Sequence, residues 1–172
     1  SSVDVGLVHA RRDESFTVNP RTYKRLETAQ DFLKEGSFND SREILEDILK
    51  RHRLSSHEKA LVYQSLGNVA AGQERIVDAI KMFNHCLTQQ ALPTQTQQQI
   101  KYHLGQLYIA TEQYKKAVDI FDQWLEKQMQ PSAHADYIIA GALARVGRFQ
   151  EASALGTRAV SKNPRPPEPW LR

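Results

Sequence analysis

Histidine, cysteine and grouped carboxylates are the residues from which an active site would be built, and their spacing here builds none. The histidines are His9, His52, His57, His85, His103 and His134. No two stand four residues apart, the helical spacing that turns a pair of imidazoles toward one zinc ion. His52 and His57 straddle an expected turn and read as two exposed histidines. Cys86 has no second thiol to share a metal or close a bridge, and it falls at a small-residue core position, so it reads as a buried, inert thiol. No glycine-rich phosphate loop and no Gly-x-Ser-x-Gly elbow occurs. Glu43, Glu46 and Asp47 lie among Arg42, Lys50 and Arg51, as they would on a solvated helix. The glutamine-rich run from Gln89 to Gln99 reads as polar surface. No catalytic residue, metal or cofactor is expected.

Composition narrows what remains. The 172 residues are 40% apolar and 25% charged, with 8 Gly, 7 Pro and 1 Cys, which excludes a collagen-like, disordered or disulfide-built chain. No apolar run approaches the ~18–20 residues of a membrane-spanning helix. A net charge of +3 is too small to suggest nucleic-acid binding. The positive excess gathers at the C-terminal end, on Arg145, Arg148, Arg158, Lys162, Arg165 and Arg172. It reads as a solvated helix face or, more sharply, as a contact for an acidic partner. The chain opens on Ser1-Ser2 without a methionine, which reads as a processed or engineered start.

What must position any functional residue is an internal repeat. Four segments share one pattern of small and bulky residues: Ala29, Phe32, Phe38, Ser41, Leu45, Ile48; Gly67, Ala70, Ile76, Ala79, Phe83, Cys86; Gly105, Tyr108, Tyr114, Ala117, Phe121, Trp124; and Ala140, Leu143, Phe149, Ala152, Gly156, Ala159. In each set the second small residue follows the first by 12 positions, and the second small residues recur at intervals of 38, 38 and 35. Small residues let two helix backbones approach, while large ones fill the grooves beside them. Each unit is therefore two antiparallel helices joined by a tight turn. A single pair cannot bury its apolar face alone, so neighbours must stack.

Punctuation supports this. Pro20, Pro93, Pro131 and Pro164 fall between units. Asn19-Pro20 reads as an N-cap with proline at the first helical position. Ser55 with Glu58, and Thr94 with Gln97, have capping-box spacing, and Gly36 and Gly147 stand in turns that need a left-handed residue. The expected helices are 20–35, 38–52, 56–72, 75–90, 94–110, 113–129, 132–146 and 148–162.

Leu66-Gly67-Asn68 through Ala79-Ile80-Lys81-Met82-Phe83, and Leu104-Gly105-Gln106-Leu107-Tyr108 through Tyr114-Lys115-Lys116-Ala117-Val118, resemble tetratricopeptide (TPR) repeats. The resemblance implies an all-α, right-handed α-solenoid of antiparallel helix pairs. It divides the chain into a flexible N-terminal tail (1–19), a four-unit array (20–165, with units at about 20–53, 56–91, 94–130 and 132–164) and residues 166–172, which begin a truncated fifth unit or cap the fourth. Ser41 and Gly156 depart from the usual alanine and bulky residue, and Gly156 should loosen the fourth unit.

In such an array the first helices line the concave side. The positions expected to face inward are Tyr23, Leu26, Gln30 and Leu33; Leu61, Gln64, Asn68 and Ala71; Gln99, Tyr102, Gln106 and Ile109; and His134, Tyr137, Gly141 and Arg145. Gln64, Asn68, Gln99, Tyr102, Gln106, His134, Tyr137 and Arg145 are the candidate partner-binding residues, able to hydrogen-bond a peptide backbone and stack on its side chains. Removing the Tyr102 ring is expected to leave stability nearly untouched. The TPR proteins that clamp chaperone C-termini use lysine, arginine and asparagine; only Asn68 matches, with Gln64, Gln99 and His103 where basic residues would fall, so that ligand is not expected.

Lys59-Ala60-Leu61-Val62-Tyr63-Gln64-Ser65-Leu66-Gly67, the Leu92–Ile100 connection, Leu107–Ala110 through Trp124-Leu125, and the Pro167-Glu168-Pro169-Trp170 end are similar to TPR proteins found alongside TonB systems of Gram-negative bacteria. That similarity implies an exported, periplasmic scaffold of TonB-dependent transport with further repeats after Arg172. Other readings stay open: a TPR adaptor in pilus or outer-membrane biogenesis, a substrate-recruiting arm of an enzyme, and a cytoplasmic location. The expected partner is a protein or peptide in the groove, with no nucleic acid and no membrane span. Self-association through the array ends is also expected.

Overall fold

Three of the four first helices start where a side chain can take up backbone N–H groups left without partners. The computed structural model describes residues 16–50, 53–128 and 130–163. Eight helices, and no strand, lie among the described residues: α1 (Pro20–Lys34), α2 (Phe38–Lys50), α3 (Ser56–Gly72), α4 (Ile76–Thr88), α5 (Thr94–Ala110), α6 (Tyr114–Leu125), α7 (Ala133–Arg145) and α8 (Phe149–Lys162). Asn19 Oδ1 accepts from Arg21 N at 2.9 Å ahead of Pro20. Ser55 and Glu58 form the reciprocal capping box, at 3.0 and 3.1 Å, and Ser132 Oγ accepts from Ala135 N. The Thr94–Gln97 box does not form. The Gln97 amide instead donates to the Leu92 carbonyl at 2.7 Å, tying the connection to the helix it leads into.

All four intra-pair turns close with the same pair of backbone bonds, as in Gly36 N to Leu33 O and Ser37 N to Phe32 O. Each needs a residue at positive φ. Gly36 (φ 78°) and Gly147 (φ 84°) supply it as expected, whereas Glu74 and Glu112 (both φ 58°) occupy it in the middle two pairs. A side chain there costs about 1–2 kcal/mol, a cost that the packing of the flanking helices offsets.

The chain divides into two compact units, residues 1–100 and 101–172. In the first, Ala29, Leu45, Ile48, Val62, Leu66 and Val69 form a buried cluster with Leu26, Leu33, Phe38 and Leu49 against it. Ser41 explains its own departure from alanine: it is buried, and its hydroxyl donates to the Ala29 carbonyl at 2.7 Å, so a small polar residue fits this helix crossing. Gly67 lies under the Phe83 ring, where an added Cβ would stand 2.6 Å from Cε1.

The second unit repeats the crossing with Gly105 under Phe121, and buries Ala117, Val118, Trp124, Ile139, Ala140, Leu143 and Ala159. The looser packing expected at Gly156 is present. A Cβ there would meet nothing within 4 Å, and α8 buries Ala159 alone. Residues 1–15 and 164–172, which include most of the expected tail and the whole expected fifth-unit start, lie outside the described residues.

Candidate partner-binding cleft

Helix α7 is fixed from behind. Asp136, fully buried, accepts from Arg158 Nε (2.9 Å), Arg158 Nη2 (2.5 Å) and Lys162 Nζ (2.8 Å), all from α8. Lys162 also donates to the Pro131 carbonyl. Burial alone would raise the Asp136 pKa, but the hydrogen bonds and charges of Arg158 and Lys162 more than offset it and hold the carboxyl below the usual aspartate range. The carboxylate therefore stays charged and pins α7 to α8.

Tyr137, Gly141 and Arg145 follow one another at intervals of four, so they share one stripe of α7. With Ile109 of α5, Tyr114 at the start of α6, and Ile138 and Ala142 of α7, they line a cleft of 290 Å³. Gly141 opens it, since a Cβ there would meet nothing within 4 Å. The Arg145 guanidinium lies 5.1 Å from the Tyr114 ring centroid, a cation–π contact that holds the charge at the cleft wall.

The cleft gathers four positions expected to face inward: Ile109, Tyr137, Gly141 and Arg145. The other candidates stand elsewhere. In the first unit, Gln64 and Asn68 are half-buried on α3 and Gln99 is exposed on α5; in the second, Gln106 is half-buried and His134 exposed. Tyr102 is a correction. Its ring packs 4.9 Å from Trp124 and 5.9 Å from Phe121, and burial raises its pKa, so it belongs partly to the core.

Much of the C-terminal positive charge is paired within the chain. Arg148 bonds Asp122 at 2.9 Å and Glu151, and Arg158 and Lys162 are spent on Asp136. These three are partly exposed yet already hold carboxylates of this chain, so an acidic-partner contact would have to rest on other residues. Arg145 is the one described basic residue of that end with no carboxylate on it, while Arg165 and Arg172 lie outside the described residues.

Tyr114, Ile138 and Ala142 were missed as cleft residues: the repeat marks Tyr114 only as a packing position, and Ile138 and Ala142 fall outside both the repeat pattern and the inward stripe. The repeat did carry a signal. Arg145 follows Ala140 by five, as Gly72 follows Gly67. A Cβ on Gly72 would strike the Phe38 ring, and Phe38 is the repeat equivalent of Tyr114. Where the first unit closes that corner with glycine, the second places a long cation over the ring.

Two residues read for chemistry can also be placed. His57 is buried, not exposed; its Nδ1 lies 2.7 Å from the Ala91 carbonyl and therefore carries the proton, and the Phe16 ring meets it edge-on. His52 lies outside the described residues. Burial pushes the Cys86 thiol up to about 12, partly countered by a hydrogen bond to the Gln64 backbone, as suits an inert core residue. Among the described residues no group of three or more His, Cys, Asp or Glu could hold a metal ion. No described helix is long and apolar enough to cross a membrane.

Helix pairs in this register define a class. The protein has an all-α TPR fold, and residues 102–167 match the tetratricopeptide repeat family model. Similar solved structures include MamA (residue 41 to the end) from Desulfovibrio magneticus RS-1, 17% identical over 86% of this chain and 78% of that one, with a TM-score of 0.67. MamA of AMB-1 is 17% identical over 85% of this chain and 75% of that one, TM-score 0.66. A kinesin light chain from Podosopora anserina with nearly identical TPR-like repeats is 21% identical over 82% and 74%, TM-score 0.63. No curated protein sequence matches the chain. None of these similarities singles out the TonB-associated repeat proteins.

Proposed function

We propose that this protein is a non-catalytic scaffold that binds a protein partner through the α5–α7 cleft. The observation that carries the reading is the convergence of Tyr137, Gly141 and Arg145 with Ile109 on one open, partly apolar cleft, braced from behind by the Asp136 ion pairs. Apolar floor, tyrosine walls and a stacked arginine are the side chains enriched where proteins meet. The resemblance to TonB-associated repeat proteins supplies the particular assembly: a periplasmic complex supporting TonB-dependent transport. Capture from periplasmic and cytoplasmic extracts, comparing wild type with Gly141→Leu by quantitative mass spectrometry, tests both halves. Recovery of TonB-system components from the periplasmic extract, and their loss with Gly141→Leu, is expected. Equal capture by both proteins refutes the cleft, and capture of a different assembly refutes the TonB reading.

A further inference from the structure

Resting on the cleft reading above, we infer that the cleft takes an extended peptide segment of the partner, with an aliphatic side chain followed two residues later by a side-chain carboxylate. Charge comes first. Arg148, Arg158 and Lys162 already hold carboxylates of this chain. Arg145 makes no ion pair among the described residues and is held only through its face, 5.1 Å over Tyr114. A guanidinium stacked in this way keeps its in-plane N–H donors free, and a carboxylate fits that edge with two parallel hydrogen bonds. The floor comes next: Ile109, Ile138 and Ala142 are apolar, and Gly141 leaves a notch beside them into which a side chain can seat.

Spacing then fixes the motif. Gly141 and Arg145 are four residues apart on α7, about 6 Å along its axis. In an extended peptide, side chains on one face recur every second residue, at about 6.6 Å. An aliphatic side chain in the Gly141 notch therefore brings the side chain two positions away to the Arg145 edge. A cleft of 290 Å³ suits one or two side chains of such a segment, whereas a helix is about 10–12 Å across. The acid in this arrangement is a side chain within the segment, so a free C-terminus is not required.

The test is a ¹H–¹⁵N correlation titration of the full chain with three peptides: Ac-Ser-Leu-Ser-Asp-Ser-NH2, its Asn counterpart, and Ac-Ser-Leu-Asp-Ser-Ser-NH2, in which the spacing is broken. The first peptide should shift the amides of Ile109 and of residues 137–145, and the other two should bind about tenfold more weakly. Arg145→Gln, an exposed change whose spectrum itself reports folding, should bring the Asp peptide down to the level of the Asn peptide. Equal affinity of wild type for the Asp and Asn peptides, or a preference that survives in Arg145→Gln, overturns the inference. So does the absence of cleft shifts with every peptide. None of these outcomes touches the cleft as such: dependence of partner capture on Gly141 decides that separately.

Discussion

Two glycines of the second unit make opposite demands, and one substitution separates them. Gly105 and Gly141 are both helical, on α5 and α7. Replacing either with alanine lowers the helix-propensity and unfolded-chain penalties by the same amount, about 0.5–1 kcal/mol. At Gly141 the new methyl meets nothing within 4 Å, so Gly141→Ala should stabilise by that full amount. At Gly105 the methyl would lie 2.5 Å from both Cε1 and Cζ of Phe121, against the ~3.5–4.0 Å of an ordinary carbon contact. Phe121 is completely buried and has no solvent to swing into. An overlap of about 1 Å in a closed core costs roughly 1–3 kcal/mol. Because the backbone contribution cancels between the variants, Gly105→Ala should be the less stable of the two by that amount. Urea unfolding followed by tryptophan fluorescence, which reports on Trp124 in the same unit, measures the difference, provided the two m-values agree. A Gly105→Ala variant as stable as Gly141→Ala would refute the close crossing of α5 and α6, and with it the reason the repeat places a glycine there.

Asp136→Asn should cost about 1–3 kcal/mol at pH 7, since it removes charge-assisted bonds while leaving Arg158 and Lys162 able to rehydrate at the surface. The Asp136 pKa is depressed on folding, so its contribution is complete above the unfolded value of about 3.9 and fades as pH falls through the lower folded value. The gap in urea midpoint between wild type and variant should accordingly narrow as pH falls below about 3.9, and a gap that does not shrink there contradicts the assignment. Tyr102→Ala should destabilise by about 1–2 kcal/mol through its lost contacts with Trp124 and Phe121, whereas Tyr137→Ala, at a more exposed ring, should lower the melting temperature less and weaken partner capture. Equal melting shifts would show that the two tyrosines do not differ in role. Glu112→Gly should stabilise by up to about 1 kcal/mol by relieving a left-handed side chain, and a loss in thermal melts would mean that Glu112 does something in that turn beyond tolerating it.

The helices and their pairing were legible because they rest on local physics. Small residues 12 positions apart, the Ser55–Glu58 box, Asn19-Pro20 and the turn glycines act within a few turns of chain, and each occurs at its expected place. Half of the cleft was legible for the same reason: Tyr137, Gly141 and Arg145 share a face by helical period alone. What α5 and α6 bring to that face follows from how three helices meet in space. Tyr102 and Tyr137 look alike in the sequence, yet one ring lies on Trp124 and the other stands 38% exposed. The charges were the least legible. Six basic residues clustered in sequence read as one patch, but long side chains choose partners by reach and rotamer, and Asp136 and Asp122 lie 22 and 26 residues from the arginines that take them. Periodicity determined which helices form and which faces they bury. The tertiary structure decided which of the described cations at that end was left without a carboxylate, because pairing depends on distances between helices that the repeat does not encode.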